Sequence, residues 1–101
     1  MSHVRLNLSC PQAVAEQVIE FLLDHETMVG GFTTLAALGH GRDFSDATLR
    51  ERVRGRVQST LLMAILPAGD VMPLLKALRS QIHAKHIFYW TEPVHDFGEL
   101  S

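Results

Sequence analysis

The sequence predicts an α+β fold: a ferredoxin-like β-α-β-β-α-β sandwich with a long loop between strands two and three. Three observations predict it. Strand-patterned and helix-patterned segments alternate in that order along the chain. At 101 residues the chain has room for one core, so residues 1–101 read as a single domain. Between the second and third strands, residues 40–56 are too polar to be core and carry Arg42, Arg50, Arg52, Arg54 and Arg56.

"HVRLNLS" (residues 3–9) alternates, with Val4, Leu6 and Leu8 on one face and His3, Arg5 and Asn7 on the other. Period two makes it the first strand. Ser9 then offers a capping oxygen, Pro11 suits a first helical turn, and Val14, Val18, Phe21 and Leu22 recur at helical spacing. A helix is expected from about Pro11 to His25. "VGG" (residues 29–31) breaks that pattern, and "GFTTLAAL" (residues 31–38) carries the second strand.

The third strand runs from Val57 to Leu66, becomes apolar on both faces after Thr60, and stops at Pro67. Asp70 stands where it can cap a second helix, in which Val71, Leu74, Leu75, Leu78 and Ile82 form one stripe. Pro73 is tolerated there because the first-turn amides lack intrahelical partners anyway. "HIFYWTE" (residues 86–92) is the fourth strand, and Pro93 ends it or marks a sheet edge. The two helices would cover one sheet face. Apolar residues at Leu61–Leu66 and Ile87–Trp90 demand cover on the other face as well, and a partner subunit is the simplest cover.

Hydrophobic content of 47% and charged content of 20% are those of an ordinary folded domain. A net charge of −2 gives no general attraction to nucleic acid, so none is expected as a partner. Cys10 is the single cysteine, which rules out an intramolecular disulfide and fits a reducing, cytoplasmic setting. "MSHVRLNLSC" does not read as a secretory signal, and no apolar run approaches the roughly 20 residues of a membrane span, so direct membrane insertion is not expected.

Candidate chemistry is sparse. His83 and His86 lie three residues apart in "HAKH", and His40 sits between glycines. Imidazoles suit zinc, copper or nickel, and a subunit interface can supply ligands from two chains. The alternative reading is exposed turn histidines. Cys10 near a helix start is either an activated thiol or small buried filler. No nucleophile–base pairing, close carboxylate pair or phosphate-binding glycine motif is present, so the chain reads as non-enzymatic, with a small ferredoxin-like enzyme as the alternative.

"GFT" with "GHGR" (residues 31–33 and 39–42), "LLMAILPAGDVMPLLKAL" (residues 61–78) and "HIFYWTEPV" (residues 86–94) together resemble the PII-like signalling proteins. More narrowly, "VRGR", "HIFYWTEPV" and "FGEL" resemble a PII-like domain family of unknown function often encoded beside heavy-metal efflux pumps. The resemblance implies a homotrimer with effector clefts between subunits. It places ligand contacts at Thr33, Gly39, Gly41 and Arg42. Residues 40–56 become a partner loop, with Arg50, Arg52 and Arg54 offered to an efflux-pump component or another protein.

ATP binding is not expected to follow. The turn "SQIHAKHIFY" (residues 80–89) has no glycine, and the tail offers Asp96 and Glu99 instead of cations. A phosphate cradle needs converging amides without intervening side chains. A divalent transition metal at His40, His83 or His86 is the favoured effector.

Overall fold

The computed structural model describes residues 2–40 and 57–101. In order, the elements are β1 (His3–Pro11), α1 (Gln12–Asp24), α2 (Glu26–Val29), β2 (Thr33–Gly39) and β3 (Val57–Pro67). A 3-10 turn (Ala68–Asp70) then leads into α3 (Val71–Gln81), and β4 (Phe88–Val94) follows. The strands form one antiparallel sheet in the order β2-β3-β1-β4, the ferredoxin-like arrangement.

Alternation along the strands decides which side chains meet the helices. Leu6, Leu8 and Cys10 of β1 and Leu62, Ala64 and Leu66 of β3 point to one face. There they pack with Val18, Phe21 and Leu22 of α1 and with Val71, Leu74, Leu75 and Leu78 of α3. Burying each large aliphatic chain stabilises the fold by about 1.5–3 kcal/mol. At the end of α1, the His25 ring stacks on Phe21, and its Nδ1–H donates to the Phe21 carbonyl at 2.8 Å, satisfying an acceptor the helix leaves free. The sequence does not predict the short α2; it ends at Gly30, whose positive φ of 73° suits a residue without a side chain and lets the Gly31 N–H donate to the Val29 carbonyl at 2.8 Å across a tight turn.

The structure revises two expected caps and one strand start. Ser9 does not cap α1: it lies in the β1 ladder opposite Leu61 and Phe88. The helix begins at Gln12, after Pro11 in an extended conformation, with no side-chain cap. Asp70 precedes α3 but makes no capping bond either, because the 3-10 turn leads directly into the helix and holds Asp70 in helical geometry. The fourth strand starts at Phe88, not His86, since His86 has φ of 66° and a strand cannot continue through it. It runs on through Pro93, which the outer position of β4 in the sheet permits. The short helix that "SDATLRERVRG" (residues 45–55) would form lies outside the described residues.

Candidate functional site: the open sheet face

The sheet face away from the helices is built in cross-strand rows. One row reads Thr33, Met63, Asn7, Trp90; the next reads Leu35, Leu61, Ser9, Phe88; a third joins Ile65, Arg5 and Glu92. Leu35, Phe88 and Trp90 are exposed, and Leu61, Met63 and Ile65 are half-buried. The apolar character that the sequence gives β3 on both sides is therefore real, and in the single chain its outer side meets water.

A polar network stands in this apolar field. Glu92 Oε1 accepts from Arg5 Nη2 at 2.7 Å, from Asn7 Nδ2 at 2.9 Å and from Trp90 Nε1 at 3.2 Å. Asn7 is 1% exposed although it points to the open face, and its amide also reaches the carbonyls of Arg5 and Trp90. The hydrogen bond from Arg5, reinforced by those from Trp90 and Asn7, holds the Glu92 carboxyl below its ordinary pKa. Arg5 Nε is buried and makes no hydrogen bond among the described residues.

Beside the network lies a shallow cleft of about 540 Å³, lined by Arg5, Gly31, Phe32, Thr33, Met63 and Phe97 among others. The C-terminal tail brings Phe97 to it and tilts that ring against His3, with centroids 6.1 Å apart. Its lining is mostly apolar, with the Thr33 hydroxyl and the Arg5 guanidinium as its polar side-chain groups.

Of the ligand contacts expected from the sequence, Thr33 lines this cleft, while Gly39 lies at the far end of β2. Gly41 and Arg42 lie outside the described residues, as do Arg50, Arg52 and Arg54. His40 is exposed just beyond Gly39; His83 is exposed and His86 half-buried between α3 and β4. β2 and β4 are opposite edges of the sheet, three strand spacings or about 14 Å apart, so one subunit does not bring His40 to the His83/His86 pair. No group of three or more metal-ligating side chains occurs among the described residues.

Cys10 is fully buried in the core, and burial raises its pKa to about 11. The activated-thiol reading fails on that ground: near the end of β1, facing the helices, the thiol is buried among apolar side chains and finds no stabilising partner among the described residues. Arg5, Asn7, Trp90 and Glu92 are the site residues that sequence reasoning missed. Arg5 and Asn7 share a strand face by alternation, but their partners depend on the β1–β4 register, which no local pattern encodes.

Comparisons with known proteins fit this architecture. The profile of the family described as Protein of unknown function (DUF3240) matches residues 1–101. A crystal structure of a DUF3240 family protein from Shewanella baltica OS155 superposes with a TM-score of 0.81 at 21% identity, covering 100% of this chain and 99% of that one. The apo form of CPII from Thiomonas intermedia K12, a nitrogen regulatory PII-like protein, gives 0.68 at 18% identity over 93% of this chain and 90% of that one. The same protein bound to ADP, AMP and bicarbonate gives 0.61 at 20% identity over 95% and 96%. The fold is thus the PII-like one. No curated protein matches the chain. No helix among the described residues is long and apolar enough to cross a membrane.

Proposed function

This chain belongs to the DUF3240 family, and from that membership and its PII-like fold we propose that it is a non-enzymatic regulatory protein acting as a homotrimer. The observation that carries the proposal is the open sheet face. Exposed Leu35, Phe88 and Trp90, with Leu61, Met63 and Ile65 between them, form an apolar surface that a lone domain has no reason to keep. In such an assembly the effector clefts lie between subunits, as the PII-like resemblance implies. The partner contact is then made by the loop of residues 40–56, in which Arg50, Arg52 and Arg54 offer charge-assisted bonds to an acidic surface. The resemblance noted above supports a heavy-metal efflux component as that partner.

The effector reading follows from the same geometry. His40 is separated from His83 and His86 within one subunit but lies on the opposite sheet edge, so a neighbouring copy can present the missing ligands. A divalent transition metal held between subunits is the effector we propose. A nucleotide is the second reading, favoured by the cleft beside Thr33 and by the ADP- and AMP-bound state of CPII. Against it stand the glycine-free turn at residues 80–89, where His86 holds the left-handed conformation, and the acidic Asp96 and Glu99. Replacing phosphate-binding cations by acids forfeits charge-assisted bonds worth roughly 1.5–3 kcal/mol each.

Titration calorimetry with zinc, copper, nickel and ATP–magnesium tests the effector. Metal binding that weakens when His40, His83 and His86 are replaced by alanine supports the reading; tight ATP binding with no response to metal overturns it. Capture of a partner from native extract, compared with a chain in which Arg50, Arg52 and Arg54 are serine, tests the loop. Equal capture by both chains removes the loop as the contact.

A further inference from the structure

The Glu92 network is half used. All three bonds to Glu92 arrive at Oε1 and none at Oε2, while Arg5 makes its one side-chain bond through Nη2 and leaves the two N–H groups of Nη1 unpaired among the described residues; Nε is unpaired as well but buried, beyond a neighbour's reach. The patch therefore has both donors and an acceptor to spare, side by side, in the apolar surface of Met63, Ile65 and Trp90. We infer that this network is the specificity element of self-association: the spare donors of Arg5 and the spare oxygen of Glu92 pair across the subunit interface with Glu92 and Arg5 of other copies of this chain. The inference rests on the oligomeric reading above and says which contact selects the partner.

A second copy is the occupant because of charge complementarity. The patch holds one cation and one anion, so a strongly acidic or strongly basic partner meets as much repulsion as attraction. An apolar partner would cover the spare donors and acceptor without answering them, and a buried, half-satisfied network is worse than none. What answers a patch with spare donors and a spare acceptor is another patch of the same composition, which a symmetric oligomer supplies by construction. The device rejects wrong partners as much as it attracts the right one.

The test exchanges the charges. Arg5→Glu combined with Glu92→Arg keeps an ion pair between β1 and β4 within each subunit but inverts what the patch presents to its neighbour. Native mass spectrometry of a wild-type and exchanged-pair mixture, after slow subunit exchange, should show two separate homotypic oligomers. Statistical mixing of the two chains overturns the inference. A monomeric wild type overturns the assembly reading itself, and this inference with it; an oligomeric wild type that mixes freely overturns this inference alone. If circular dichroism shows that the exchanged pair does not fold, Glu92→Gln takes its place: self-association weakened about tenfold supports the inference, and unchanged association overturns it.

Discussion

Arg5 on β1 and Glu92 on β4 are direct cross-strand partners, joined at 2.7 Å between Nη2 and Oε1, with Asn7 and Trp90 donating to the same oxygen. The pair fastens an edge strand to the centre of the sheet from 87 residues away in sequence. It also fixes which face of β4 carries Phe88 and Trp90.

The Glu92 carboxyl titrates below its ordinary value in the folded chain because of the bond from Arg5. Its contribution to stability is therefore present above the ordinary carboxylate pKa and is lost as pH falls through the folded value. Thermal unfolding followed from neutral to acid pH should show wild type losing stability over that window, while Glu92→Gln loses less. A Glu92→Gln chain with the same acid dependence as wild type would remove the network from the account of stability.

Asn7 is buried although it lies on the open face, and its amide serves two carbonyls and Glu92. Asn7→Ala removes one of the three donors to Glu92 and the side-chain donor to both carbonyls, and should destabilise the chain by about 1–3 kcal/mol in denaturant unfolding. A change within about 0.5 kcal/mol, the range of an ordinary surface substitution, would mean that water replaces the amide without loss.

How far the sequence could be read depends on the range of the interactions. The stripe of Val71, Leu74, Leu75 and Leu78 and the alternation of Leu6 and Leu8 state their faces locally, and both lie in the core as expected. Strand and helix starts were less legible. Ser9 and Asp70 have the chemistry of caps, but Ser9 is claimed by the sheet and Asp70 by the 3-10 turn. His86 has a strand-like context in sequence, and only its left-handed φ moves the strand start to Phe88. The network was illegible for a different reason: Arg5 and Glu92 meet through pairing register, which is a property of the whole sheet.

Cys10 has no exposed surface, and burial raises its pKa to about 11. A thiol-specific reagent at neutral pH should leave the native chain unmodified and label it fully in denaturant. Rapid labelling of the native chain would mean that β1 opens at its Pro11 end far more readily than its packing against α1 and α3 implies.

In solution the open face, with Leu35, Leu61, Met63 and Trp90, should be covered by further copies of the chain. Light scattering coupled to size-exclusion chromatography at micromolar concentration measures this directly. A single species of three times the chain mass is expected, and Trp90→Glu should shift it towards the monomer. A wild-type peak at the mass of one chain, unchanged as concentration rises, would contradict it.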